Sequence, residues 1–332
     1  MQLTPEQHDR FAANCDGHES FVVTTHMKPD GDALGSQIAV ARYLVSQGKT
    51  VRLINGDPTP DLLAFVTHDS PPIEVYDSRH HDDVIRDVDR VILVDNSAPD
   101  RLGSMEPVLL SVAAKTLCID HHPTREAPWA DNILQVGASA TAVLVWDLLR
   151  NRGWEPDART CDAVFVGLAT DTGFFRFNSA SAHAHRVAAE LLDRGVHNGT
   201  IYRRIYERTS EAFTRLLGHA LVGLQIDGGG RIAFVELRRD KIAEVGAENE
   251  DTGEIVTSLL AIDGVDVVLM FREFPDARVK VSLRSKGKLD VHGLASCFGG
   301  GGHRNASGIV STEPFEAVVE NVLKKARELV AG

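Results

Sequence analysis

The chain reads as an α/β protein: an N-terminal, mostly parallel sheet flanked by helices, followed by a smaller α/β domain. Three observations predict it. The short apolar runs at Phe21–Val23, Val91–Val94 and Thr116–Ile119 lack the in–out alternation of a half-exposed strand, as expected for strands buried on both faces of a parallel sheet. Helical patterns lie between and after these runs. Further on, Val279, Val281 and Leu283 alternate with Lys280, Ser282 and Arg284, so a second sheet turns one face to a core and the other to solvent or ligand.

In chain order, residues 20–55 read strand, helix, strand, and 91–95 and 115–120 read as further strands. Residues 139–152 and 158–170 read as helices, the second leading to Asp171. Ala182–Leu192 is another helical stretch that runs into Gly195, a C-cap residue type. The polar, partly helical segment Asn198–Leu217 reads as a connection, which divides the chain into a first domain (1–195), a helical linker (196–215) and a second domain (216–332). In the second domain Ile232–Leu237, Val265–Phe271 and Val279–Leu283 read as strands, the acidic stretch Glu248–Glu254 as a solvated loop, and Phe315–Val330 as a helix with one apolar face.

Chemistry concentrates where the buried elements end. His26-Met-Lys-Pro-Asp30-Gly-Asp32 follows the first strand, Asp95 the run VILV, Asp120-His121-His122 the run TLCI, and Asp171 a helix. In an open parallel sheet the carboxyl ends of the strands share one rim, where ligands bind, so these residues can converge. Carboxylates packed that closely must take up protons unless cations neutralise them. Aspartate and histidine ligands without cysteine suit Mn²⁺, Mg²⁺, Co²⁺ or Fe²⁺ better than a structural zinc, and the number of ligands suggests two ions. Singly, an aspartate after a strand is more often a helix cap or turn residue. His80-His81, set among charges in SRHHDD with no evident strand leading into it, reads as ordinary polar structure.

These residues carry a resemblance. HMKPDGDALGS (26–36), VDNSAPDRLG (94–103), IDHHP (119–123) and ATDTGFFRF (169–177) resemble, in order, the four motifs of the DHH-superfamily phosphoesterases, and FGGGGHRNASG (298–308) resembles the end of that family's associated C-terminal substrate-binding domain. The pairing is most similar to bacterial nanoRNases that also act as 3′-phosphoadenosine 5′-phosphate phosphatases. The resemblance implies one cation on His26, Asp30 and Asp95 and another on Asp32, Asp95, His121 and Asp171, with Asp95 bridging. It implies Mn²⁺ as the ion, with Mg²⁺ or Co²⁺ as alternatives. Asp120 is then a residue that orients His121 or the loop, and His122 faces the phosphate and is a candidate proton donor. Gly31 reads as the residue that lets the chain turn sharply enough for Asp30 and Asp32 to face neighbouring ions. In the second domain the resemblance points to Arg284, Ser282 and Lys286, and to Gly301, Gly302, His303 and Arg304 at the glycine run, as a clamp for the substrate's 5′-phosphate or terminal nucleotide. Arg101 and Arg176, inside the second and fourth motifs, are further candidates for phosphate.

The activity this implies is hydrolysis of short 5′-phosphorylated oligoribonucleotides to mononucleotides and of 3′-phosphoadenosine 5′-phosphate to AMP, with two ions about 3.5–4 Å apart activating water. No G-x-S-x-G element is present, and Cys15, Cys118, Cys161 and Cys297 form no C-x-x-C pair, so a covalent mechanism is not expected. A cyclic-dinucleotide phosphodiesterase of the same superfamily is the alternative, and a non-catalytic nucleotide sensor the alternative from another class. The formal net charge of −12 argues against gripping long nucleic acid, which relies on neutralising many phosphates. No run of membrane-spanning length and no signal-peptide pattern is seen, so a cytoplasmic protein without membrane association is expected. By resemblance, a homodimer is common for such folds.

Overall fold

The apolar runs become the middle of a parallel sheet because both of its faces are covered. In the computed structural model, which describes residues 3–123, 127–287 and 289–331, the chain forms two units, Met1–Glu207 and Arg208–Gly332. The first contains α1 (Pro5–Cys15), β1 (Ser20–Thr24), α2 (Gly31–Ser46), β2 (Thr50–Asn55), β3 (Ile73–Val75), α3 (Ser78–Asp87), β4 (Arg90–Val94), α4 (Glu106–Ser111), β5 (Thr116–Asp120) and β6 (Asp131–Leu134). The helices α5 (Thr141–Asn151), α6 (Ala158–Asp171), α7 (Ala182–Asp193) and α8 (Asn198–Tyr206) complete it. Its six strands lie in the order β3-β2-β1-β4-β5-β6, and every neighbouring pair is parallel. Phe21, Val23, Ile92, Val94, Leu117 and Ile119 pack into one core with α2, α5 and α6. Val22, Val91, Leu93 and Cys118 face the opposite core with α3 and α4. The strand order reverses between β1 and β4, which opens a crevice at their carboxyl ends.

Helices α2 and α6 lie close together because glycines line their contact. A Cβ on Gly35 would sit 2.3 Å from the Ala163 carbonyl oxygen, and one on Gly31 would sit 2.4 Å from Thr170 Oγ1. Gly31 is the first residue of α2 and has no left-handed φ, so it is required for this packing and not for a sharp turn between Asp30 and Asp32.

The second unit contains α9 (Glu211–Val222), β7 (Gln225–Asp227), β8 (Ile232–Leu237), α10 (Arg239–Glu244), α11 (Gly253–Leu259), β9 (Val267–Glu273), β10 (Val279–Ser285), α12 (Val291–Ser296), β11 (Gly301–His303), β12 (Ala306–Ser311) and α13 (Phe315–Ala331). Its six strands lie in the order β11-β12-β10-β9-β8-β7, with β8 and β9 parallel and the other pairs antiparallel. Val279, Val281 and Leu283 pack with Phe315, Val318 and Val322 of α13 on one face. Val268 and Met270 on the other face pack with α9, α10 and α11.

The segment 196–215 contains the boundary between the units and is anchored on both sides: Ile201 belongs to the first core and Phe213 to a core of the second unit, because both bury an apolar helix face. One expectation changes here. The acidic stretch 248–254 is more than a solvated loop, since the buried Arg272 donates hydrogen bonds to the carbonyls of Glu248 (2.6 Å) and Glu250 (2.7 Å), and α11 starts at Gly253.

Candidate metal centre

Three neighbouring strands, β1, β4 and β5, deliver His26, Asp95 and Asp120-His121-His122 to one rim. The backbone is bent to do so: Asp95 has φ 58° and Lys28 φ 53°, a left-handed region that non-glycine residues rarely enter and aspartate enters more readily than most. The Asp95 N–H still donates to the Ile119 carbonyl (2.9 Å), which locks the residue to the adjacent strand end.

Asp30, Asp32, Asp95, His26 and His121 are each oriented by a further contact. Asp30 is the N-cap of α2; its Oδ1 accepts from the N–H groups of Asp32 (3.0 Å) and Ala33 (3.1 Å), leaving Oδ2 to face His26 Nε2 at 3.8 Å. Asp32 is buried and serves as the missing cap of another helix. α5 begins after Ala140, which has no capping side chain, and the Asp32 carboxylate instead accepts from Thr141 N (2.6 Å) and Ala142 N (2.8 Å). The Thr141 hydroxyl donates to Asp95 Oδ1 at 2.8 Å, so one residue restrains two carboxylates.

The histidines follow the same logic. His26 Nδ1 lies 2.8 Å from the Met27 carbonyl oxygen and His121 Nδ1 lies 3.0 Å from that of Ala138. A carbonyl only accepts, so the proton sits on Nδ1 and Nε2 presents a lone pair, the arrangement that second partners of metal-bound histidines enforce. Both Nε2 atoms are buried without a hydrogen-bond partner. His26 Nε2 lies 3.4 Å from Asp95 Oδ2, and His121 Nε2 lies 3.4 Å from Asp171 Oδ2, 3.7 Å from Asp95 Oδ1 and 3.8 Å from Asp32 Oδ2.

Two groups with ligand geometry result: His26, Asp30 and Asp95, and Asp32, His121 and Asp171. Asp95, His121 and His122 form a third combination. That third set competes with an existing bond, because His122 Nδ1 is held at 2.8 Å by Asp120 Oδ1, which also accepts from the His122 backbone N–H at 3.1 Å. Asp120 therefore orients His122 and not His121.

The electrostatics describe a site short of positive charge. Burial pushes the Asp32 carboxyl well up, the charges of Asp95 and Asp171 push it further, and the α5 N–H groups only partly offset this. Burial and the neighbouring Asp95 and Asp30 likewise raise Asp171 against the pull of His121. Burial disfavours a charged His26, yet the nearby Asp95 carboxylate and the Met27 carbonyl outweigh it and raise its pKa. Orphaned lone pairs on buried imidazoles, set among carboxylates driven to hold protons, fit divalent cations.

His122 differs: its bond to Asp120 raises it, although burial and Arg101 oppose this. Burial works against the charged form of Asp120, but the bonds from His122 hold it below the usual carboxylate range. The Arg101 guanidinium thus lies within electrostatic reach of His122, while its carbonyl accepts from Met27 N at 2.8 Å. Arg176 is exposed, with its guanidinium 5.3 Å from the Phe177 ring centre.

In the second unit, one rung of the sheet runs from His303 on β11 through Ala306 on β12 to Arg284 on β10, and the next joins Gly301, Gly308 and Ser282. Ser282, Arg284 and His303 therefore share a face, with Arg284 and His303 two strand spacings, about 10 Å, apart. Arg284 Nη1 donates to its neighbour's carbonyl, that of Leu283 (3.0 Å), and Lys286 Nζ to that of Ile262 (3.1 Å). The glycine run is not an open loop. Gly301 and Gly302 are in a hairpin strand, Gly302 at φ 142°, and a Cβ on Gly300 would lie 2.3 Å from the Gly308 carbonyl oxygen. Gly300 and Gly302 permit tight strand pairing, and the hairpin carries His303 and Arg304 to an exposed turn.

Sequence reasoning missed Thr141 and the carbonyls of Met27 and Ala138. The one available signal was that Thr141 follows Ser139-Ala140 at the start of an apolar helix with no good cap. His80-His81 does follow a strand, β3, contrary to expectation; His81 Nε2 pairs with Glu74 (3.2 Å), and neither histidine joins a ligand group among the described residues.

Comparison with known proteins agrees with this layout. A family model described as "DHH family, N-terminal domain" matches residues 20–168, and one described as "DHHA1 domain" matches residues 227–332. The chain is 32% identical over 310 residues (92% of this chain, 89% of the relative) to the bifunctional oligoribonuclease and PAP phosphatase NrnA of Thermus thermophilus. It is 27% identical over 298 residues (88% and 89%) to the protein of the same name from Bacillus subtilis. The crystal structure of an exopolyphosphatase-related protein from Bacteroides fragilis superposes with a TM-score of 0.81 at 29% identity, covering 99% of each chain. With a parallel sheet whose rim gathers the Asp-His-His triplet and a second domain of the matching kind, the chain belongs to the DHH family of metal-dependent phosphoesterases, in its DHHA1-containing branch.

Proposed function

We propose that this protein hydrolyses short 5′-phosphorylated oligoribonucleotides to mononucleotides and 3′-phosphoadenosine 5′-phosphate to AMP, using two divalent cations, with Mn²⁺ the expected ion. The observation that carries the reading is the pair of buried, unpartnered Nε2 atoms on His26 and His121, each facing its own carboxylates with Asp95 between them. The names of the relatives at 32% and 27% identity support the substrate class.

His26, Asp30 and Asp95 would hold one cation, and Asp32, Asp95, His121 and Asp171 the other. Bound there, such ions activate water and stabilise charge on phosphoryl oxygens. The chain's own residues supply the rest. His122, whose pKa is raised by its bond to Asp120, would give a proton to the departing ribose oxygen. Thr141 fixes Asp32 and Asp95 relative to each other. Arg284, Ser282 and His303 offer donors for a terminal phosphate on one sheet face, with Lys286, Arg304, Gly301 and Gly302 at its margins. No helix among the described residues is long and apolar enough to cross a membrane, and a cytoplasmic location goes with this reading.

The test is Mn²⁺-dependent product release from a matched panel: 3′-phosphoadenosine 5′-phosphate, 5′-phosphorylated RNA of two to about ten nucleotides, cyclic di-AMP and pyrophosphate, with Asp95→Ala as control. Mononucleotides from the short RNAs together with AMP from the bisphosphate are expected. Preference for the cyclic dinucleotide or pyrophosphate would overturn the substrate assignment, and binding without turnover would overturn the enzymatic one.

A further inference from the structure

The turn that leaves α6 is strained in an uncommon way. After Gly173 (φ 56°), Phe174 and Phe175 are also left-handed, at φ 56° and 67°. For bulky residues this is a genuine outlier, which persists only where the surroundings over-determine it. They do so here: Phe174 N donates to the Ala169 carbonyl (2.6 Å), Phe175 N to Thr172 Oγ1 (3.1 Å) and Phe177 N to the Thr172 carbonyl (3.0 Å). The Phe174 ring meets Tyr202 and Tyr206 of α8 edge-on at 5.0 and 5.8 Å and Phe165 at 6.0 Å.

The product of this strain is the placement of Phe177. The residue is 50% exposed, and its ring lies against the backbone of Gly173, where a Cβ would come within 2.6 Å of the ring. Gly173 is two residues from Asp171, so their Cα atoms are at most about 7.6 Å apart. The Arg176 guanidinium lies 5.3 Å from the Phe177 ring centre, giving a flat aromatic and cationic surface beside the metal centre. An exposed aromatic side chain alone needs no explanation. One held out by two left-handed phenylalanines, beside a candidate ligand, does.

We propose that Phe177, with Arg176, is the stacking surface for the nucleobase of the nucleotide whose phosphate lies at the metal centre. The proposal rests on the nucleotide-hydrolase reading and extends it to base recognition. A π-face accepts every base, so it adds affinity according to the area of the base and not by hydrogen-bond readout of its edge. It also does so without neutralising many phosphates, which suits a chain of net charge −12. Larger purine faces stack better than pyrimidines. Arg176 thereby acts on the base and not on a phosphate.

The experiment compares wild type with Phe177→Ala, Phe177→Leu and Phe177→Trp on 5′-phosphorylated diadenylate, diuridylate and an analogue lacking bases, all with Mn²⁺. Bound Mn²⁺ is measured for each protein. Expected for Phe177→Ala and Phe177→Leu is a KM on diadenylate raised at least about tenfold, the scale of one lost base stack, with kcat changed far less. Phe177→Trp restores the wild-type KM, and the gap between wild type and Phe177→Ala narrows on diuridylate and closes on the base-free analogue. An unchanged KM in Phe177→Ala, an equal loss on the base-free analogue, or a loss of bound Mn²⁺ that accounts for the defect would overturn the stacking surface. Failure of the wild type to cleave any nucleotide would instead overturn the functional reading.

Discussion

Thr141→Val removes one hydroxyl from the centre of the account while keeping the shape of the side chain. Thr141 is fully buried, and its Oγ1 is 2.8 Å from Asp95 Oδ1. Hydrogen bonds to charged groups contribute about 1.5–3 kcal/mol, and the valine methyl leaves a buried carboxylate oxygen without that donor. The backbone bond from residue 141 to Asp32 survives, so α5 stays capped and the perturbation falls on Asp95 alone. Losing an outer partner of a ligand typically lowers metal affinity or activity by about 10- to 100-fold. We expect Mn²⁺ affinity, measured by calorimetric titration, and kcat/KM to fall within that range, and Thr141→Ser to recover most of both. Thr141→Val protein that binds Mn²⁺ within about threefold of wild type, a difference of under ~1 kcal/mol, would refute the claim that this hydroxyl positions the shared carboxylate.

Other perturbations have equally defined outcomes. Asp32 and Asp171 are raised in the metal-free fold above the ordinary value of 3.8, so the folded state binds more protons than the unfolded one. Their contribution to stability is therefore lost as pH climbs from about that value through the raised folded values. Cations displace those protons, so the Mn²⁺-induced rise in Tm should grow with pH across this window, and a rise that shrinks instead would contradict the assignment. Gly35→Ala forces a Cβ against the Ala163 carbonyl oxygen; overpacking of this kind costs about 1–3 kcal/mol, or roughly 2–4 °C of Tm per kcal/mol for a unit this size, read by thermal denaturation. Arg284→Ala should raise KM for 5′-phosphorylated substrates about 10- to 100-fold with little change in kcat, and an unchanged KM on every nucleotide tried would remove Arg284 from the clamp. EDTA should abolish turnover and Mn²⁺ restore it, and full activity in metal-free buffer would refute a cation mechanism.

The gathering of these aspartates and histidines at one rim was legible because most of them sit where apolar strands stop. The runs before His26, Asp95 and Asp120 are buried on both faces, which leaves a pattern no loop imitates, and the polar residue that ends each run must emerge at the rim. Thr141 left almost no trace, since a threonine opening an apolar helix is unremarkable until Asp32, distant in sequence, supplies the cap. The Met27 and Ala138 carbonyls that set the histidine tautomers are backbone groups, which composition does not register. Strands β3 and β6 were missed for a different reason: each is a short edge strand with few buried residues, so neither carries a long apolar run. The glycine run at 299–302 reads as a place where backbone can approach phosphate, but sequence does not reveal that Gly300 and Gly302 also admit a neighbouring strand. Gly31 was misread for the same reason, its need being set by Thr170 on another helix.

Anomalous diffraction from crystals grown with Mn²⁺ bears most directly on the central claim that this rim is a two-cation centre. Two peaks are expected, one within bonding distance of His26, Asp30 and Asp95 and the other of Asp32, His121 and Asp171, with Asp95 touching both. No peak at the rim, or a single one held by Asp95, His121 and His122, would contradict that claim.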